Sequence, residues 1–216
     1  MQTVAKLFIL FTLVGAISCK KEEAQAPGPV TPAATDYMKL KPGNYWIYKE
    51  YRVTDTSEHD EKVTDSVYVE KDTIISNNLF HKLVRPSHWS HTPQLMFLRD
   101  SLGYTVDHLG KVHFAKHDFT TIFAQGFQTT STDTIAKFTT KMTDMDFAVS
   151  TPAGVFVTSA FTTQYDIFPK YQVAGNEVIH YRTRYANGVG MVTEVLAVYV
   201  ASPEVWERRL VRWHVQ

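Results

Sequence analysis

Through most of the chain, hydrophobic and polar residues alternate with period two, the spacing of a strand that buries one face. Asn44 to Thr54 reads NYWIYKEYRVT. Tyr45, Ile47, Tyr51 and Val53 share one face, and Trp46 and Tyr48 share the other with Glu50 and Arg52. Val63 to Asp72 alternates again through Val63, Val67 and Val69, and Leu79 to Val84 returns after Asn77-Asn78. Asparagine tolerates positive φ, so that pair predicts a hairpin turn. Strands follow at Leu95 to Arg99, Tyr104 to Val106 and Val112 to Phe114, with turns at Gly103 and Gly110. Such regular spacing of short strands and turns predicts an antiparallel meander.

The middle of the chain is less periodic. Phe119, Ile122 and Phe123 have helical spacing, so a short helix or an irregular crossing is expected within Asp118 to Asp133. Thr134 to Val149 is read as two strand edges around the tetrapeptide TDMD, and Pro152-Ala153-Gly154 as a turn into a strand over Val155 to Thr162. In Val178 to Tyr185, Ile179, Tyr181 and Tyr185 oppose His180, Arg182 and Arg184. After a tight turn at Asn187 to Gly190, Met191 to Val200 places Val192, Leu196, Val198 and Val200 on one face. Trp206 to Val215 has two readings: a helix aligning Trp206, Leu210 and Trp213, or, preferred, a strand with Val211, Trp213 and Val215 inward and Arg208, Arg212 and His214 outward, with room for a helical turn at Pro203 to Glu207. Tyr, Phe, Thr and Val are frequent, which favours strands. The expected fold is all-β: a single domain of nine to eleven antiparallel strands in a strongly curved meander, a half-barrel or open barrel.

The first 35 residues break this pattern. Leu7 to Ile17 is almost wholly apolar after a short basic start. About eleven residues make roughly 16 Å of helix, and a bilayer core needs about twenty residues. The layout is that of a secretory signal peptide, residues 1–18. Ala16 and Ser18 lead directly into Cys19, the only cysteine. This arrangement resembles a bacterial lipobox, with Ala16 standing where that motif usually carries leucine; the resemblance implies that Cys19 is acylated and becomes the mature N-terminus. One acyl chain binds a membrane only reversibly, and the several chains that bacterial lipoproteins carry would make attachment permanent. Lys20 to Thr35 has three prolines and no aromatic residue. It is read, with Cys19, as a disordered tether reaching roughly 50 Å if extended at about 3.1 Å per residue. Residues 36–216 are then the β-rich globular domain.

Composition narrows the function. Lys plus Arg and Asp plus Glu both number 22, so the net charge is zero, and the basic footprint of a nucleic-acid binder is absent. Acylation would consume the one thiol and leave no cysteine for catalysis, a disulfide or a metal.

Candidate chemistry is sparse. Six of nine histidines lie between His81 and His117, and the pairs His88/His91 and His113/His117 have spacings open to metal binding. No His-Glu-x-x-His pattern accompanies them, and on a strand His113 and His117 would lie about 13 Å apart. Scattered surface histidines, no metal and no cofactor are expected. Asp144 and Asp146 could meet Asp133 or Asp166 as a carboxylate pair, but hydrogen-bonded turns explain them more simply. No nucleophile elbow of the Gly-x-Ser-x-Gly type occurs. Arg182, Arg184, Arg208, Arg209 and Arg212 could form a basic strip across neighbouring strands, set against a solvated face balanced by acids.

Three short signatures occur in order: Gly43-Asn44-Tyr45-Trp46, Pro152-Ala153-Gly154-Val155-Phe156 and Gly188-Val189-Gly190-Met191-Val192. With the lipobox, and with Lys20-Lys21-Glu22-Glu23 resembling the export tag of surface lipoproteins, the chain resembles uncharacterised surface lipoproteins of Bacteroidota-type bacteria. The resemblance implies a β-rich domain at the outer membrane, exposed at the cell surface or, alternatively, facing the periplasm. It implies no reaction. On the residues alone, Trp46 and Phe156 are read as core, and Gly154 and Gly190 as turn positions.

The expected function is a non-enzymatic envelope module, acyl-anchored in the membrane, that contacts an envelope protein, glycan or lipid. A carrier of apolar ligands in a β half-barrel is the second reading, and an enzyme the third.

Overall fold

A computed structural model describes residues 35–54, 56–88, 90–173, 175–196 and 205–216. Cys19, the signal segment and the tether up to Ala34 lie outside the described residues, as do Val198 and Val200. One helical turn, Thr35–Met38, precedes twelve strands. They are β1 (Tyr45–Val53), β2 (Glu58–Ile75), β3 (Asn78–Pro86), β4 (Pro93–Ser101), β5 (Tyr104–Asp107), β6 (Val112–Ala115), β7 (Ala124–Thr129), β8 (Thr134–Thr151), β9 (Gly154–Ile167), β10 (Val178–Ala186), β11 (Gly190–Leu196) and β12 (Val205–His214). All lie in one antiparallel sheet of order β6-β5-β4-β3-β2-β1-β12-β11-β10-β9-β8-β7. The sheet is two six-stranded meanders, β1–β6 and β7–β12, joined where the first strand pairs with the last.

The sheet curls without closing. β6 and β7 are its two edges and do not pair with each other. The β6 side chain Phe114 nevertheless reaches across to Tyr185 of β10, with ring centroids 4.9 Å apart. Inside the curl, Trp46, Tyr48, Val67, Val69, Leu98, Phe114 and Leu210 form a continuous buried cluster.

The three sequence signatures converge at the seam between the meanders. Trp46 is paired with Trp213 in register, and its indole N–H donates to Val189 O at 2.7 Å. Gly190 has φ +108, and a Cβ there would lie 2.7 Å from Trp46 Nε1. Only glycine combines that dihedral with so close an aromatic ring. Phe156 packs edge-on against Trp213 at 5.5 Å, and the Ala153 N–H donates to Leu210 O at 3.1 Å. Trp46 and Phe156 are thus core and core flank, as their sequence context predicts.

Four expectations need correction. There are twelve strands among the described residues, above the nine to eleven expected. Of the two alternatives for the stretch after Asp118, the irregular crossing holds and the short helix does not, and the crossing leads into a strand, β7, that was not expected. Asp118 Oδ1 accepts the N–H groups of Thr120 and Thr121 at 3.2 and 2.9 Å, a local turn that competes with helix. Phe119 and Phe123 flank the core from that loop while Ile122 is exposed, so their spacing mimicked a helix.

The TDMD segment does not separate two strands. It is a bulge within the single strand β8, where the register moves from Thr143↔Ala160 to Phe147↔Thr158. Asp144 and Asp146 there take φ of 51° and 56°, which aspartate tolerates better than most residues. Finally, Val205 to Glu207 are strand rather than a helical turn; the rest of that segment is outside the described residues.

Candidate functional site

The inner face of β1 sets up the site. Trp46, Tyr48 and Glu50 are all buried, at alternate positions of one strand. The first two pack in the apolar cluster, although Arg85, His113 and Glu194 also reach the cavity around Tyr48. Tyr48 is fully buried and its hydroxyl donates to Met191 O at 2.9 Å. Burial, and after it the charge of Glu194, pushes its pKa well above the usual tyrosine value. Around it a cavity of about 110 Å³ is lined by residues including Met38, Leu40, Trp46, Leu98 and Tyr185.

Two residues further on, the environment is ionic. Glu50 is 1% exposed and stands opposite Arg208, also 1% exposed. Arg208 in turn stands opposite Glu194 of β11. Its Nε donates to Glu50 Oε1 at 3.1 Å and one Nη2 hydrogen to Pro86 O at 3.2 Å. Nη2 also lies 2.6 Å from Asp65 Oδ2, close enough for an ion pair although that oxygen receives no aligned hydrogen bond. Nη1 is 3.6 Å from Glu194 Oε2, which is held more tightly by Arg85 Nη2 at 2.6 Å. A buried charge is costly unless paired, and Arg208 is enclosed by carboxylates from β1, β2 and β11.

Histidine completes the cluster. His88 Nδ1 is 3.0 Å from Glu50 Oε2, and His91 Nδ1 is 3.7 Å from Asp65 Oδ1. Burial, then Arg208, lowers the His88 pKa. Burial, then the Asp65 carboxyl hydrogen-bonded to it, raises the Glu50 pKa to about 7 against the pull of Arg208. The structure therefore brings His88 and His91 to two carboxylates, with the guanidinium of Arg208 as the cation between them. Among the described residues no cluster of three or more His, Cys, Asp or Glu is arranged to hold a metal.

Beside this cluster the concave face opens into a polar cleft of about 450 Å³. Arg85, His88, Lys111, Glu194 and Arg208 supply its charged and imidazole side chains, with Phe161, Tyr165 and Tyr181 as aromatic walls. The Tyr165 and Tyr181 rings meet edge to face at 5.2 Å. Burial raises the pKa of Tyr181 to about 12.

The other sequence candidates do not gather here. His113 pairs with Asp107 at 2.9 Å, while His117 is exposed beyond the end of β6. Asp144 binds Arg184 at 2.7 Å and Arg182 at 3.3 Å, Asp133 binds Lys170 and Tyr171, and Asp166 accepts from Gln164 at 2.7 Å. These acids serve separate local contacts. The basic strip is likewise broken. Arg182 and Arg184 share Asp144, Arg209 binds Glu58 and Glu207, Arg212 is exposed, and Arg208 is inside.

The inward position of Arg208 corrects the sequence reading and was the missed feature. Ile47 faces Arg212 but Tyr48 faces Leu210, so Val211 is an extra residue on β12. One bulged residue inverts the side-chain parity of a strand. Arg208 and Leu210 therefore share the inner face with Trp213. The acidic Glu50 at alternate spacing from Trp46 and Tyr48 was the one available signal that a buried cation was needed.

No protein-family profile and no curated protein matches the chain. Two solved structures are similar. One is described as an exported protein with a YmcC-like fold, from Bacteroides fragilis; it is 13% identical, with a TM-score of 0.43 over 82% of this chain and 98% of the other. The second is described as a lipoprotein from Parabacteroides distasonis; it is 12% identical, with a TM-score of 0.39 over 83% and 98%.

Proposed function

We propose that the chain is a cell-envelope lipoprotein, anchored through acylated Cys19 in the outer membrane and facing outward, whose curved sheet is a non-enzymatic binding module. The polar cleft is its ligand site. One observation carries this reading: a concavity of about 450 Å³ combines aromatic walls with converging polar side chains. Its size falls in the range of roughly 300–1,000 Å³ typical of small-molecule sites, and its lining is more polar than most. The apolar-carrier reading draws on the lining of the inner cavity, but about 110 Å³ is small for such a ligand.

The test is made on protein extracted from its native membrane. Intact mass should show a cleaved leader and an acylated Cys19, and extraction with organic solvent should release no further lipid. An unmodified thiol removes the anchor. A stoichiometric lipid recovered from protein cut free of the tether would replace the polar-cleft reading with the carrier.

A further inference from the structure

We propose that the cleft takes an organic anion, its oxyanion held by Arg85 and Lys111 and its apolar body resting on Phe161, Tyr165 and Tyr181. This rests on the reading of the cleft as the ligand site and names the class of ligand.

The lining is chemically one-sided. Arg85, Arg208, Lys111 and His88 face it, against one carboxylate, Glu194. Glu50 and Asp65, which balance Arg208, do not line the cleft. Arg85 commits only Nη2 to Glu194, and none of its other nitrogens is both buried and unbonded. They remain accessible donors in the fork geometry that suits an oxyanion. Lys111 is exposed on the turn before β6, where Asp107 Oδ1 accepts its backbone N–H at 2.9 Å, and its ammonium has no carboxylate within ion-pair distance among the described residues. A neutral sugar or amide would leave this cationic side of the cleft unused.

Anion binding is linked to the proton on Glu50. Glu50 meets Arg208 of β12, Asp65 of β2 and His88 just after β3; beyond these, His91 approaches Asp65, and Glu194 of β11, itself paired with Arg85 of β3, approaches Arg208. With Glu50 protonated, three cations (Arg85, Arg208, Lys111) stand against two carboxylates (Asp65, Glu194). Loss of that proton makes the group neutral, so an anion binds less well as pH rises through the Glu50 transition.

Benzoate and benzamide, nearly equal in shape and differing in charge, make the test by NMR titration of the whole protein. Benzoate should perturb Arg85, Lys111 and Tyr181 signals and bind about tenfold more tightly than benzamide, the worth of one charge-assisted hydrogen bond. Arg85→Gln should weaken benzoate by about tenfold and leave benzamide unchanged. Arg85→Gln also unpairs Glu194, so Lys111→Met, at an exposed site outside the buried cluster, probes the same cationic side without unpairing a buried carboxylate; it should weaken benzoate by about threefold. Benzoate should bind less tightly at about pH 8 than at about pH 6, and Glu50→Gln should erase that difference. Equal binding of the two probes, or benzoate perturbing sites outside the cleft, overturns the anion assignment while leaving a cleft of other specificity. Silence of the cleft signals with both probes overturns the ligand-site reading as well.

Discussion

The inner face of β1 crosses two environments within three side chains. At one end Trp46 and Tyr48 pack in a mainly apolar cluster, with Arg85 and Glu194 also lining the cavity around Tyr48, and each polar atom they bring has one backbone acceptor. At the other end Glu50, with the same burial, lies in a cluster of carboxylates, guanidiniums and imidazole. The apolar end is held by packing, which is insensitive to pH and salt. The ionic end is held by charges whose attraction must offset their own desolvation, so it depends on which protons are present. The same strand thus combines a fixed anchor with an adjustable one, and the adjustable end adjoins the cleft.

The largest effects should come from cutting each end once. Trp46→Ala and Arg208→Met should each cost about 3–5 kcal/mol in chemical denaturation, the first by leaving a cavity, the second by stranding buried carboxylates. The two should separate with pH. The Trp46→Ala loss should be the same at acid and alkaline pH, whereas the Arg208→Met loss should shrink on acidification as the stranded carboxylates take up protons. Parallel pH responses would show that the two ends are not physically distinct.

Gly190→Ala should cost somewhat less, about 2–3 kcal/mol, because the new Cβ must displace the Trp46 ring from a backbone of positive φ. Its melting temperature should fall without a change in pH dependence. A normal melting temperature would mean that the seam is less tightly packed than the 2.7 Å approach implies.

Glu50→Gln sharpens the comparison further. The folded-state pKa of Glu50 is raised, so the stability that its proton confers is complete below its unfolded value and is lost as pH rises through about 7. Stability should therefore increase as pH falls from about 7 to about 4.5, by up to about 3 kcal/mol, and Glu50→Gln should flatten that increase. Below this window the sign reverses. Hydrogen bonds from Lys62 hold Asp60 near pKa 2, and those from Lys170 and Tyr171 hold Asp133 near 2. Protonating these carboxylates removes stability. The smallest change should follow Glu58→Gln, which breaks an exposed ion pair with Arg209 and should alter stability by less than about 0.5 kcal/mol.

Much of the architecture was legible because strands with one packed face leave a period-two record. The boundaries of β1, β3, β10 and β12, the turn at Asn77 and the roles of Gly154 and Gly190 followed from local chemistry. The hairpin turn confirms this locally: Ser76 and Asn77 take φ of 48° and 61°. The errors fall where a local rule met a non-local contact. The aromatic residues of the loop after Asp118 are spaced like a helix because they cover the core, and the TDMD bulge looked like an end because β9 absorbs it. The candidate site was the least legible feature. Glu50, Asp65, Arg85, Glu194 and Arg208 lie far apart in sequence on five strands; of the cluster, the sequence reading singled out His88 and His91 as a histidine pair and Arg208 as part of an outward basic strip, and joined none of them to a carboxylate.

Alternation, turn residues and composition by themselves determined an antiparallel, β-rich chain. That information is local, since side-chain direction and turn dihedrals depend on neighbouring residues. Tertiary structure alone decided that β1 pairs with β12, that the curl stays open between β6 and β7, and that one extra residue at Val211 turns Arg208 inward. Those outcomes depend on register between strands distant in sequence, and register moves a charge from solvent to core with no change in the residues themselves.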